Sequence, residues 1–474
     1  MQYILAMKNK ITFLPQLLRR KFILVFFMCG LILSVTVKAE LPTAQQIASK
    51  MKIGWNLGNT LEATWVPRNS FSTTTQTAID SVKAAGFNTV RLPVAWFYHS
   101  DTVTSIIDAA WLAHVKKVVD YCIKDSMYVI INAHWDKGWL ENRVNAANKD
   151  IVNARQQKYW TQIANYFKDY NDHLLFAGAN EPNAHDAAGT SILLSYHQTF
   201  IDAVRATGGN NSSRTLVIQG PSTDISNTDK YMNTLPDDQI ENRLIVEVHY
   251  YTPWNFCGLN GDATWGKMFY YWGKDNHSTT DAGRNATWGE ESDMDKYLGM
   301  MKTKFVDKGI PVIIGEYGAF RRKLSPPSDQ ALHNASIISY YRYFVNSAAK
   351  KGITTYCWDT GGIFNFSTGK IKDKDVYNAI MQGAKDATTG IAVLKENNME
   401  IYPNPFTSTI TLKVDHPEEI TRISIFDSTG RQVGAIGHSD IKSKITIGSN
   451  LNSGMYIVQV CRPDETKSYK MIKK

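Results

Sequence analysis

The chain has 474 residues, 43% hydrophobic and 20% charged, enough apolar material for one large domain and a smaller one. Its formal net charge of +8 hints at an anionic partner, but residues 1–39 carry six Lys/Arg and no acid, and the remainder holds 46 basic against 44 acidic residues. Nucleic-acid binding therefore has no electrostatic support.

In chain order, the first element is a secretory signal. Arg19-Arg20-Lys21 precede a mostly apolar run from Phe22 to Val37, and Val37-Lys38-Ala39 offers small residues to signal peptidase. The run is roughly 16 residues, short of the ~20 that span a bilayer, so cleavage after Ala39 is expected rather than anchoring. Cys29 leaves with it. Cys122, Cys257, Cys357 and Cys461 remain; they show no CxxC spacing and need form no disulfide.

From about residue 50 to residue 386, short apolar runs alternate with helical patterns. The predicted strands are Ile53–Leu57, Thr89–Val94, Tyr128–Ala133, Leu174–Gly178, Thr215–Gln219, Leu244–Val248, Pro311–Gly315 and Thr354–Trp358. They are rich in Val, Ile and Leu, as strands buried on both faces must be. Helical spacing appears in Ala78–Ala85, Leu112–Ile123, Ile163–Tyr170, Leu193–Val204 and Tyr340–Ala349, while the fifth connection lacks a long helix. Eight such units predict an α/β fold, a (β/α)₈ TIM barrel over residues 40–386. A doubly wound open sheet is the alternative, but no glycine-rich phosphate fingerprint follows the first strand. Residues 387–398 read as a linker. Residues 399–474 show short alternating segments (Ile410–Val414, Arg422–Phe426, Lys444–Ile447, Tyr456–Val460) between turn signals, the pattern of a small all-β sandwich.

Residues at the C-terminal ends of barrel strands share one cavity. Here they are Asn56, Arg91, His134, Asn180-Glu181, Gln219, His249 with Tyr251, Glu316 and Trp358. One polar strand exit is an ordinary rim residue; a ring of them is a candidate active site. Glu181 and Glu316, on the fourth and seventh strands, are the two carboxylates that glycosidic cleavage requires. Arg91 is placed to hold one of them ionised. A metal-dependent hydrolase is the competing reading, but neither an HxH after the first strand nor an HExxH helix occurs. No GxSxG elbow supports serine chemistry. No metal or cofactor is expected.

The segments Gly54-Trp-Asn-Leu-Gly-Asn-Thr60, Val90-Arg-Leu-Pro93, Ile131-Asn-Ala-His134, Asn180-Glu-Pro182, His249-Tyr-Tyr251, Gly315-Glu316 and Trp358-Asp359 resemble glycoside hydrolase family 5 in order and spacing. The resemblance implies that Glu181 is the acid/base, Asn180 the donor to the sugar 2-hydroxyl, and Glu316 the nucleophile, hydrogen-bonded by Arg91 and Tyr251. It implies that His134 and His249 line the pocket and that Trp358 is the stacking platform of the subsite where cleavage occurs; Asn56, from its strand exit, is counted with the substrate-binding residues. Trp135, counted with the substrate-binding residues, stands where many members have a second histidine, and it leaves the substrate subclass open. The implied activity is that of a secreted, retaining endo-1,4-β-glucanase of cellulase type. Xyloglucan or mannan substrates, or a non-catalytic surface glycan-binding protein, are the alternatives; the last is disfavoured because both glutamates are present. The loop from Thr252 to about Glu291 carries Trp254, Trp265, Trp272 and Trp288, and one or two of these rings are expected to meet sugar.

The tail resembles the C-terminal sorting domain of the type IX secretion system through Tyr402-Pro-Asn-Pro-Phe406, Leu451-Asn-Ser-Gly454 and Lys470-Met-Ile-Lys473. It implies export across inner and outer membranes, with the outer-membrane secretion machinery as partner. A carbohydrate-binding module is the competitor, but the tail has no tryptophan. A monomer is expected, with β-linked polysaccharide as substrate.

Overall fold

The computed structural model describes residues 42–69, 74–326, 328–389, 394–396, 399–414, 416–463 and 466–474. The expected signal segment, residues 1–39, lies outside them.

Eight parallel strands close into a barrel in sequence order. They are β1 (Gly54–Leu57), β2 (Thr89–Leu92), β3 (Tyr128–Asn132), β4 (Leu174–Ala177), β5 (Leu216–Gln219), β6 (Leu244–Tyr250), β7 (Val312–Tyr317) and β8 (Thr354–Asp359). The surrounding helices are α1 (Gln76–Ala84), α2 (Ala109–Lys124), α3 (Lys149–Tyr166), α4 (Ala187–Ala206), α5 (Ile225–Tyr231), α6 (Glu291–Lys304), α7 (Gln330–Lys350) and α8 (Lys374–Thr389). The fifth is the seven-residue helix α5, matching the weak fifth connection in the sequence.

Two apolar layers follow from strand alternation. Outward residues such as Val90, Val129, Val246 and Ile314 pack under the helices, while Ile130, Val217, Ile245, Ile313 and Tyr356 fill the barrel interior. The helix Ala44–Lys50 closes the bottom by adding Ala44 and Ile47, with Met51 at its end, to that interior cluster. The top of the interior is left for polar groups.

Three expectations need correction. Helix α3 begins at Lys149 rather than Ile163. Its buried positions Val152, Gln156, Tyr159, Trp160 and Ile163 keep helical spacing, but the inward polar Gln156, which donates to Gly178 O at 2.8 Å, hides the pattern. The expected linker 387–398 is shorter than read, because α8 runs to Thr389 and a strand, β9 (Leu394–Glu396), already pairs with the tail. The tail also holds more strands than its alternating segments suggested. One sheet orders β14 (Lys444–Ile447), β11 (Ile410–Val414), β10 (Met399–Tyr402) and β9. The other orders β13 (Gln432–Gly437), β12 (Arg422–Asp427), β15 (Gly454–Cys461) and β16 (Thr466–Lys473). Both are antiparallel and share one core that includes Ile401, Leu412, Ile423, Val458 and Met471.

Candidate active site

Toward the C-terminal ends of the strands, every second, inward residue turns polar. On β2 it is Arg91, above Thr89; on β6 it is Glu247 and then His249, above Ile245. Strand β7 departs from the alternation. Ile313 lies in the interior and Val312, Ile314 and Tyr317 in the outer layer. Val248 pairs with Ile314, yet the next residue, His249, pairs with Glu316. The extra residue, Gly315, forms a bulge that re-aims Glu316 into the mouth.

Arg91, fully buried, is the hub. Its Nη1 donates to Glu316 Oε1 and to Asn56 Oδ1, both at 3.0 Å, and its Nη2 donates to Asn180 Oδ1 at 2.7 Å. Its Nε pairs with Glu247 Oε1 at 2.8 Å. Asn56 donates back to Gly315 O at 2.8 Å, tying β1 to the bulge. Tyr251 donates its hydroxyl to Glu316 Oε2 at 3.0 Å, so both oxygens of that carboxylate are held. His249 Nδ1 lies 2.7 Å from Glu181 Oε1 and 3.8 Å from Glu316 Oε2, and its Nε2 lies 3.3 Å from Glu247 Oε1. The facing atoms of Glu181, His249 and Glu316 fall within 4.8 Å of one another. Glu181 stands 45% exposed on the open wall, whereas Glu316 is 7% exposed on the floor.

These distances set the charges. Burial works to lower His249, but the carboxylates of Glu316, Glu181 and Glu247 win and push it up to about 9. Burial works to raise Glu181, yet the hydrogen bond and charge of His249 hold it below the usual carboxylate range. Glu316 is lifted by its burial, with His249 and Arg91 pulling the other way. Glu181, His249 and Glu316 also have the spacing of a metal site, the one such group found among the described residues. A protonated imidazole has no lone pair to offer a cation, so the arrangement suits proton transfer.

The predicted residues Asn56, Arg91, Asn180, Glu181, His249, Tyr251 and Glu316 thus form one network. His134 and Trp358 stack beside it, with centroids 5.8 Å apart and planes 8° apart. The indole of Trp358 also lies close to Gly58, where a Cβ would come within 2.9 Å of it. Trp135 is exposed on the loop after β3. Gln219 lies deeper than the mouth, donating to Glu247 Oε2 at 2.6 Å. Of the loop tryptophans, Trp272 is fully buried and donates to Gly289 O at 2.8 Å, so it belongs to the loop's own core. Trp254, Trp265 and Trp288 are exposed. Trp254 sits edge-on to Tyr251 at 6.2 Å and 87°, its ring braced on Gly258.

Sequence reasoning missed four buried acids. Glu247 was legible as an acid in the inward register of an apolar strand. Glu62 accepts from the backbone N–H groups of Asn59 and Thr60, and Asp136 from those of Phe97 and Tyr98, so both shape rim loops. Glu141, on the short 3₁₀ turn Glu141–Arg143, feels the charges of Asp136 and Glu181.

A closed (β/α)₈ barrel with two carboxylates facing each other across its C-terminal mouth defines a two-carboxylate glycoside hydrolase. Residues 47–362 match Cellulase (glycosyl hydrolase family 5), and the chain belongs to that family. Endoglucanase A of Paenibacillus barcinonensis is 35% identical over 379 residues, 72% of this chain and 90% of that protein. Among solved structures, the xyloglucan-specific β-1,4-glucanase XEG5B from a ruminal metagenomic library, in complex with XXLG, is 44% identical with a TM-score of 0.65, covering 73% of this chain and 96% of that one. A broad-specificity endoglucanase from Bacteroides salanitronis is 31% identical with a TM-score of 0.63, covering 72% and 95%. Residues 400–474 match a secretion system C-terminal sorting domain, so the protein is exported to the cell surface or beyond. No helix among the described residues is long and apolar enough to cross a membrane.

Proposed function

We propose that the chain is a retaining endo-1,4-β-glucanase, acting as a monomer, in which Glu316 attacks the anomeric carbon and Glu181 is the acid/base. The observation that carries this reading is the approach of the two carboxylates to within 4.8 Å. Inverting enzymes hold theirs ~6.5–9.5 Å apart to admit a water, whereas ~5 Å suits direct attack. Glu316, fixed on the floor through both oxygens, has the aim of a nucleophile. Glu181 faces the open cleft where the leaving sugar departs, and it has the His249 N–H beside it as a proton source. Asn180, oriented by Arg91, is placed to meet a sugar hydroxyl, and Trp358 offers a ring face beside it. The pH profile follows from the charges. Activity should rise as Glu316 ionises, above the ordinary carboxylate range, and fall as the proton shared by His249 and Glu181 is lost, toward about 9.

Dinitrophenyl cellobioside separates the two roles, because its leaving group needs no proton. Glu181→Ala should still give a burst of phenolate from that substrate, and added azide should speed turnover. Glu316→Ala should give no burst and no covalent adduct. Identical behaviour of the two variants would remove the assignment.

A second reading, xyloglucan as the preferred glucan, is favoured by the 44% identity to a xyloglucan-specific relative. Reducing ends released from xyloglucan, carboxymethylcellulose and galactomannan should then rank in that order. Faster release from galactomannan would point instead to mannan.

A further inference from the structure

Glu247 carries no role in the reading so far, yet the site is built around it. It is fully buried, and four features converge on its carboxylate. Arg91 Nε lies 2.8 Å away, Gln219 Nε2 donates at 2.6 Å, and His249 Nε2 lies 3.3 Å away. The fourth is a gap on β7: a Cβ on Gly315 would fall 1.8 Å from Glu247 Oε1. A buried ion pair is often no more stabilising than apolar residues of the same volume, so stability alone does not account for this carboxylate.

We propose that Glu247 is a positioning residue for catalysis: it anchors Nε2 of His249 so that the opposite N–H is held on Glu181, and the two together recharge the acid. The inference rests on Glu181 being the acid.

An imidazole between two carboxylates satisfies both of them when it carries both protons. The groups around it agree. Arg91 on β2 is cationic; Glu181 on the loop after β4, Glu247 on β6 and Glu316 on β7 are the carboxylates. His134, just after β3, and His197 on α4 are kept neutral by burial, His197 at about 4. Tyr251 and Tyr356 are raised and stay un-ionised. Glu62, which feels the charge of Glu316, is raised to about 7, and Glu141, which feels that of Glu181, to about 8; these are the further acids that could add charge. Two cations thus face three carboxylates, and the imidazolium is favoured through neutral pH. In the first step a proton leaves His249 Nδ1 for Glu181 Oε1, leaving a neutral ring whose Nε2–H still points at Glu247. Glu181 passes that proton to the glycosidic oxygen as its bond to the anomeric carbon breaks and Glu316 bonds to that carbon. In the second step water bonds to the anomeric carbon as the ester bond to Glu316 breaks and frees its carboxylate, and Glu181 takes the water's proton and returns it to Nδ1. No proton is gained or lost over the cycle.

Glu247→Gln keeps the size and removes the charge. The basic limb of kcat/KM on a cellooligosaccharide should move down by about one pH unit or more, with about a 10–100-fold loss near pH 8. On dinitrophenyl cellobioside kcat/KM should fall less than about 3-fold, since that bond breaks without a proton. Equal losses on both substrates with an unshifted profile would overturn the inference and make Glu247 a mere counter-ion of Arg91. If the variant does not fold, ¹⁵N NMR of the wild-type ring decides: both nitrogens of His249 should be protonated near pH 7.5. A neutral ring there would overturn the inference. Failure of the acid assignment itself is read separately, as loss of the Glu181→Ala burst.

Discussion

Glu62, Asp136 and Glu141 are almost fully buried around the mouth, and burial raises each of them, Glu62 and Asp136 to about 7 and Glu141 to about 8. The sign of their effect on stability follows directly. A carboxyl whose folded value exceeds its unfolded value binds more protons when folded, so stability is greatest at low pH and falls as pH rises. For Glu141 the window runs from its ordinary 4.5 to about 8. Each pH unit in such a window is worth ~1.4 kcal/mol per group at most. Glu141→Gln should therefore gain on the order of 2 kcal/mol near pH 8 and little near pH 4.5. Urea midpoints at the two pH values measure it; a variant destabilised equally at both would show that the carboxyl is needed charged. The same residue feels the charge of Glu181, so any activity change should appear at the basic limb.

At the scale of elements, the bulge in β7 is what turns a sequence position into a working side chain. The sequence singled out Glu316 as the polar residue closing an apolar run at a strand exit, and β7 runs one residue past it to Tyr317. The alternation itself would point Glu316 outward, because an inserted residue leaves no mark in hydropathy. Gly315 was visible only as part of a motif; its reason is the Glu247 carboxylate, a contact between strands. The same limit explains α3, whose inward Gln156 reads as surface, and β13, where Gly434 and Gly437 dilute the strand pattern. What was legible rested on local chemistry: buried strands, the polar strand exits, the short α5 and the long tryptophan-bearing loop. Which of that loop's rings are structural depends on packing, and only coordinates separate buried Trp272 from exposed Trp254. Gly315→Ala tests the bulge. Its methyl would meet a carboxylate pinned by three partners, so it should cost about 1–3 kcal/mol of stability. Displacing Glu316 and Glu247 by even a fraction of an ångström should lower kcat/KM by about 10²-fold. A variant with wild-type activity would show that the floor can yield.

At the scale of the molecule, the barrel and the sandwich each close their own apolar core. The barrel clusters end at Ile380, and the tail cluster begins at Met399; no residue is shared between them. All the residues of the candidate site come from the barrel. The sandwich matches a sorting domain, and its role is export. Because β9 already pairs with β10, the cut that separates the two belongs before Leu394 and after the end of α8 at Thr389. A cut at residue 398 would instead leave a stray strand with no sheet to join. Protein truncated after Thr389 should hydrolyse soluble glucan with kcat/KM within about 2-fold of the full chain, since a domain with its own core folds alone. Its thermal unfolding should also lose whatever transition belongs to the sandwich and keep the barrel's. In the native host the truncated enzyme should accumulate behind the outer membrane, its activity released only on lysis. A large loss of activity in the purified truncation would make the sandwich part of the catalytic unit, and activity in the medium would deny it a role in export.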